Sequence, residues 1–265
     1  MDKAGKVYWD RVWGTVPAPD AFDPEGRGCA YRRDREFARL FADALAGLPA
    51  NSVVLEAGAA DSSVLPYFAK LGHRIVGVDY SEIGCERLRR RLGAFAGEAI
   101  CCDIFTPPLS VLHRADLVLS IGLVEHFTET SDCVAALAKL VRPGGKLLTI
   151  IPNMQGVVGL LQRLIAPSVY KMHVPLSPGD LREAHQRAGL KVERAEYLMA
   201  TNFRVINYNE PEGGRLANAA RWIAVASCGR LSCAVNLLDE HLWRLPRRKA
   251  FAPYCVVLAS VHGSA

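Results

Sequence analysis

Residues Val53 to Ser63 read VVLEAGAADSS, an apolar run that stops at an acidic residue, one glycine and a string of small residues. A run this short and apolar, ending in turn chemistry, reads as a buried strand that turns into a helix. Working outward, apolar runs at 74–78, 98–102, 116–121 and 146–151 alternate with helical patterns, with turn signals such as Arg-Pro-Gly-Gly at 142–145 between them. That rhythm predicts a parallel sheet with crossover helices. Further on, helices are expected at 155–166 and 178–188, strands at 191–198 and 253–261, and a mostly helical insertion at about 201–249. Upstream, Phe37, Leu40, Phe41, Ala44 and Leu45 form a helical stripe that ends at Gly47 and Pro49 and should cover one face of the sheet. The expected fold is α/β: a doubly wound, mostly parallel seven-stranded sheet with helices on both faces, a helical N-terminal lid, and a helical insertion before the last strand. Three regions follow: a cap at 1–50, a ligand-binding core at 51–155, and 156–265, which completes the sheet and carries the insertion.

The first strand-to-helix turn of such a sheet lies where ligands bind, outside the carboxyl ends of the strands. A dinucleotide site would need G-x-G-x-x-G, so that backbone N–H groups close on a pyrophosphate at the helix N-terminus. Here the residues are Gly58, Ala59, Ala60, Asp61, Ser62 and Ser63. One glycine remains, and the Asp61 carboxylate disfavours a doubly anionic ligand. Asp79 ends the next strand about 20 residues on, the spacing at which an acidic side chain accepts hydrogen bonds from ribose hydroxyls. The ligand therefore has a ribose and no pyrophosphate. With Glu56 ending the first strand and Asp103 the third, four carboxylates surround one crevice, which suits a ligand carrying positive charge. Taken singly, each residue also reads as ordinary turn or N-cap chemistry; their convergence at the strand ends is what points to a site.

At this point the sequence resembles the class I S-adenosylmethionine-dependent methyltransferases, of Rossmann-like fold. The motifs are LEAGAADSS (55–63), VGVDYS (76–81), CDIF (102–105), DLVLSIGLVEHF (116–127) and LVRPGGKLLTIIPN (140–153). The family's first turn reads E-x-G-x-G-x-G, so Gly58 matches the first glycine while Ala60 and Ser62 replace the others. The resemblance implies S-adenosylmethionine as cofactor and S-adenosylhomocysteine as product. Glu56, Gly58 and Ala60 would line the methionine end, Asp79 with Tyr80 the ribose, Asp103 and Ile104 the adenine, and Ser120, Ile121 and Gly122 the sulfonium. Residues 51–155 would then be the cofactor-binding core.

Methyl transfer from a sulfonium asks for in-line geometry and a dry site, because the leaving thioether needs no proton. A base is needed only for an acceptor protonated at neutral pH. His126, just past the fourth strand, is the nearest candidate, with His173 and Tyr170 further off; the Glu125 and His126 pair reads equally well as structural support for the loop. In the N-terminal segment YWDRVWG, Trp9 and Trp13 fall on one helical face. They form either a lid, with Trp13 near the sulfonium in a cation–π contact, or an apolar stripe packed on the body.

The acceptor should be a mid-sized, partly apolar small molecule methylated on O, N or C, because the segments after Asn153 are rich in apolar residues. Specialised metabolism and envelope-sugar modification are both plausible settings. The alternative is a binding or scaffold protein of the same fold that has lost turnover, which Ala60 and Ser62 keep open. The charge of +5 is spread out, and SIGL stands where base methylases carry an Asn-Pro-Pro-Tyr-like motif, so a nucleic-acid partner is not expected. No HExxH motif and no CxxC pair occurs, so no metal is expected. The eight cysteines, including Cys101 and Cys102 as small hydrophobes, suggest a reduced protein. With no signal peptide or membrane-span pattern, the expected location is cytoplasmic; the basic RLPRRK stretch at 244–249 leaves a peripheral membrane contact open, and the oligomeric state is undefined.

Overall fold

All five residues of strand β1, Val53–Ala57, are buried, as a strand covered on both faces requires. The structure is a computed structural model, and it describes residues 1–207, 214–242 and 244–263. On one side β1 pairs in parallel with β2 (Arg74–Asp79), which pairs with β3 (Glu98–Cys101). On the other it pairs with β4 (Ala115–Ile121), followed by β5 (Val141–Pro152). The strands β6 (Lys191–Leu198) and β7 (Tyr254–Ser260) complete a seven-stranded sheet in the order β3-β2-β1-β4-β5-β7-β6, with β7 antiparallel to both neighbours. The expected doubly wound, mostly parallel sheet is thus observed. The order in which successive strands are added reverses between the parallel neighbours β1 and β4, which opens a crevice at their carboxyl ends.

Alternation along the strands builds two cores. On one face Leu55, Val118, Leu147 and Val257 pack on Val134 and Leu137 of helix α5 (Thr130–Ala138) and Leu181 of α8 (Pro178–Arg187). On the other, Val54, Leu117, Leu119 and Val256 meet Phe37, Leu40 and Phe41 of α2 (Arg32–Leu45), Phe68 of α3 (Leu65–Lys70) and Leu88 of α4 (Glu82–Leu92). The helical stripe in the sequence therefore covers a sheet face as expected. Phe41 and Phe68 are fully buried, each contributing about 1.5–3 kcal/mol. Helix starts follow local chemistry: the Ser81 hydroxyl accepts from Gly84 N at 3.0 Å, and Ser177 with Asp180 forms a capping box.

Two local expectations need correction. The Arg-Pro-Gly-Gly stretch is no inter-strand turn but an irregularity inside β5, where the register with β4 slips between Ala115 and Leu117. A Cβ at Gly145 would stand 2.8 Å from the Asp116 carbonyl oxygen, so the backbones approach there as only glycine permits. Cysteine behaviour differs too: Cys29 and Cys233 are joined as a disulfide, six cysteines are free, and Cys101 is exposed. Cys101 sits near the end of the edge strand β3, and that edge placement denies it the burial its apolar neighbours suggested.

Within the insertion, the main described element is one long helix, α9 (Arg215–His241), preceded by a short 3-10 turn at Phe203–Val205. The insertion residues 208–213 and 243 lie outside the described residues. Val225 of α9 packs with Val158 and Ile165 of α6 (Val157–Ile165) and with Phe203 and Ile206. Arg32 meets Asp239 at 3.0 Å in a buried ion pair, and Arg247 of the basic stretch also bonds Asp239, at 2.8 Å. Trp222, Ile223 and Leu231 stay exposed on the outer side. Among the described residues no helix is long and apolar enough to cross a membrane.

Candidate functional site

Gly58 adopts φ 72° directly after β1, and a Cβ there would meet Leu123 at 3.2 Å, so the turn needs glycine. The two departures from a glycine-rich turn are compensated nearby. Ala60 is housed by Gly84 of α4, whose added Cβ would lie 3.0 Å from the Ala60 methyl. The Ser62 hydroxyl donates to the Glu56 carboxyl group and accepts from Val64 N and Leu65 N at 3.2 and 3.1 Å. It thereby satisfies backbone N–H groups at the start of α3 while holding Glu56 in place.

Glu56 is fully enclosed, and burial pushes its carboxyl group up to about 7 against the Ser62 bond, with the nearby Asp79 charge adding to the rise. Folded Glu56 therefore holds a proton that the unfolded chain, titrating near 4.5, releases. The contribution to stability is complete below pH 4.5 and lost as pH rises through 7, amounting to about 3 kcal/mol. Glu56→Gln should remove this slope. Denaturation midpoints measured from about pH 5 to 7 should fall less steeply for the variant than for the native protein; equal slopes in the two would show that Glu56 is ionised in the fold.

Asp79, at the end of β2, accepts from Ala60 N at 3.0 Å and Ser81 N at 2.8 Å. Burial raises its pKa, opposed by these backbone bonds. The adjacent Tyr80 hydroxyl donates to Asp2 at 2.6 Å, and burial first and then that bond raise its pKa. Asp103, after β3, is exposed and accepts from Phe105 N at 2.9 Å. Together Gly58, Asp79, Tyr80, Asp103 and Ile104 line a cleft of about 410 Å³ with Met1, Asp2, Phe105, Leu123 and Phe127. The N-terminal residues reach it because Asp2 bridges to Phe127 and Lys3 N bonds the His126 carbonyl at 2.8 Å. No sequence signal marked Asp2, since the pairing joins the first residues to a turn far along the chain.

Asp61 does not belong to this crevice. It pairs with Arg87 at 2.6 Å and Arg91 at 2.5 Å; burial pushes its pKa up, but the two guanidinium groups prevail and hold it low. The case against an anionic ligand drawn from Asp61 therefore fails, and so does the count of four ionised carboxylates, because Glu56 is largely protonated below its raised pKa. The acidic edge of the cleft consists of Asp79, Asp103 and the unforeseen Asp2.

A second cavity of about 250 Å³ lies on the other side of the turn that follows β4. Leu123 and Phe127 of that turn face the first cleft; Gly122, Glu125 and His126 face the second, together with Ile121, Trp9, Met154, His173 and Tyr254. The ring of His126 meets the Trp9 edge at 5.1 Å and lies 4.7 Å from the ring of His173. Each imidazole is anchored through Nδ1, His126 to the Met172 carbonyl at 3.0 Å and His173 to the Val169 carbonyl at 2.7 Å. Burial pulls His173 down to about 4, with the neighbouring His126 adding to the shift, and burial also lowers His126. Both are neutral at pH 7. Glu125, 1% exposed, is pushed up to about 8 by burial.

Ser120 is fully buried with an unpartnered hydroxyl, one residue short of the cavity wall. Tyr170, in α7 (Pro167–Lys171), does not line either cavity; the adjacent Val169 does. Trp13 also stands apart. It stacks on Trp9 at 5.8 Å with Arg87 6.0 Å above its ring, against α4, so Trp9 of α1 (Lys6–Thr15) supplies the aromatic face of the cavity in its place. Trp9 and Trp13 do share a helical face, but α4 takes one of them. The approach of His173 to His126 was invisible in the sequence because the two lie on separate elements, joined only by tertiary packing.

The family described as "Methyltransferase domain" matches residues 55–149, the span from β1 to β5 that carries the cleft. The match covers the cofactor-side strands of the sheet and leaves the rest of the chain outside it. A probable S-adenosylmethionine-dependent methyltransferase of Mycolicibacterium smegmatis is 28% identical over 101 residues, 38% of this chain and 38% of that protein. The match therefore spans well under half of either. Solved structures extend the fold likeness to the whole chain. The cyclase SpnF superposes with TM-score 0.62 at 14% identity, covering 100% of this chain and 97% of its own. A geranyl diphosphate C-methyltransferase of Streptomyces coelicolor gives 0.58 at 12%, covering 95% and 96%.

Proposed function

We propose that the protein transfers the methyl group of S-adenosylmethionine to an oxygen, nitrogen or carbon of a mid-sized, partly apolar small molecule. The observation that carries this reading is the pair of cavities divided by one turn: an acidic-edged cleft at the strand ends and an apolar cavity holding two neutral imidazoles. When bound, S-adenosylmethionine supplies an electrophilic methyl on a sulfonium that leaves without a proton. The residues present fit it. Asp79, its carboxylate oriented by two backbone N–H groups, accepts the ribose hydroxyls, with Tyr80 beside it. Asp103 and Ile104 hold the adenine, and Gly58 with Ala60 shapes the methionine end near Glu56. Ser120, Ile121 and Gly122 form the passage toward the second cavity, and the unpartnered Ser120 hydroxyl there is a donor without an acceptor.

The apolar walls exclude water and receive the acceptor, and His126 with His173 activates it. Residues 1–50 serve as a cap, with Trp9 closing the acceptor side and Met1 and Asp2 the cofactor side; 51–155 is the cofactor core, and 156–265 shapes the acceptor site. The alternative, a binding protein without turnover, drew on Ala60 and Ser62. Gly84 accommodates the first and Glu56 employs the second, which supports retained cofactor binding. SpnF, a [4+2]-cyclase, has a similar fold, so the fold by itself does not fix the chemistry. A cytoplasmic setting in specialised metabolism fits the small-molecule reading.

The first experiment is calorimetric titration with S-adenosylmethionine, S-adenosylhomocysteine and NAD. Binding of the first two with Kd near or below about 1 μM, or −8 kcal/mol, and none of NAD is expected. Absence of binding by either sulfur compound would overturn the reading.

A further inference from the structure

We propose that Glu125, His126 and His173 bind one divalent transition-metal cation, of the zinc and iron(II) class, in the wall of the apolar cavity. The three side chains come from the turn after β4 and the segment after α7, and one ligand atom of each lies within 4.8 Å of the others. All three are at least nine-tenths buried, Glu125 at 1%, His126 at 5% and His173 at 9% exposed. Binding at zinc-like distances requires ligand atoms roughly 3.3 Å apart, so the trio must close by up to about 1.5 Å from its 4.8 Å spacing.

Two features separate this trio from a chance cluster. A carbonyl oxygen only accepts, so the Nδ1 of each imidazole carries the proton in its bond to Met172 or Val169, and the Nε2 lone pairs are left for a ligand. That arrangement, Nδ1–H anchored and Nε2 available, is how metal-bound histidines are oriented. Independently, the Glu125 Oε2 atom is buried with no hydrogen-bond partner. Such an orphan costs about 1–3 kcal/mol, and a cation satisfies it. Two imidazoles and one carboxylate suit zinc, iron(II), cobalt or manganese better than magnesium or calcium, which prefer oxygen ligands. Lys3, whose ammonium bonds the His173 carbonyl at 2.7 Å, is the positive charge that opposes the cation.

Three protein ligands leave coordination positions facing the cavity. This consequence rests on that cavity being the acceptor site: a bound cation would lower the pKa of an acceptor hydroxyl there, which would give its proton to solvent on entry, before the walls exclude water. His126 is then a ligand and not a base, because one lone pair cannot serve both.

The test uses the full chain, dialysed against a chelator and titrated with cobalt(II) or zinc chloride alone by calorimetry, with the visible absorption of cobalt(II) as a second readout. One cation per chain with micromolar or tighter affinity is expected. His173→Gln and Glu125→Gln, each checked for native circular dichroism, should weaken it at least about 100-fold. No binding, or binding unchanged in both variants, overturns the proposal. Titration with S-adenosylhomocysteine is run in parallel: cation binding without it would leave the metal site standing and overturn the methyltransferase reading, while the reverse would remove only the metal.

Discussion

Replacing Asp79 by alanine is expected to weaken S-adenosylhomocysteine binding at least about 100-fold. Hydrogen bonds to a charged group contribute about 1.5–3 kcal/mol each, and a ribose offers two hydroxyls to one carboxylate. The loss goes further than the ligand. Ala60 N and Ser81 N, at 3.0 and 2.8 Å, would lose their acceptor, and each buried unpaired donor costs about 1–3 kcal/mol. The turn holding Ala60 would then relax, and a drop in thermal stability should accompany the loss of affinity. Asp79→Asn separates the effects, since its amide oxygen still accepts one backbone N–H. Calorimetry decides: an unchanged Kd in the alanine variant would mean that the cofactor's ribose sits elsewhere.

Replacing His126 by alanine should lower turnover of the acceptor by about 10²–10⁴-fold, the usual range for an activating group, with S-adenosylhomocysteine affinity unchanged. The separation follows from the turn after β4, where His126 faces the apolar cavity while Leu123 and Phe127 face the other cleft. Its loss also removes the edge contact with Trp9, so stability should be compared alongside rates. A single-turnover rate equal to that of the native protein, measured with an acceptor found by screening, would leave His126 as a packing residue of the loop.

Much of the lining of the first cleft was readable in the sequence because its residues follow strands directly. Gly58, Asp79, Asp103 and Ile104 each stand at a strand's carboxyl end, and in a doubly wound sheet those ends converge whatever the loops do. The second cavity was harder to read. Trp13 and Tyr170 were named from helical spacing and proximity in sequence, yet one packs on α4 and the other lies outside the cavity wall. Asp61, which reads as part of the crevice, is held by Arg87 and Arg91 of α4. Helical periodicity says which side chains share a face; it does not say which neighbour that face meets.

The sequence by itself determined the sheet, its first turn and the placing of Asp79 and Asp103 at strand ends, because apolar period and turn residues are local signals that a parallel sheet converts into a fixed crevice. Tertiary structure alone decided three things: the protonation of Glu56, the disulfide between Cys29 and Cys233, and the meeting of Glu125 and His126 with His173. Each depends on burial or on the approach of segments distant in sequence. Desolvation and long-range packing act on neighbours in space, and no spacing along the chain encodes them.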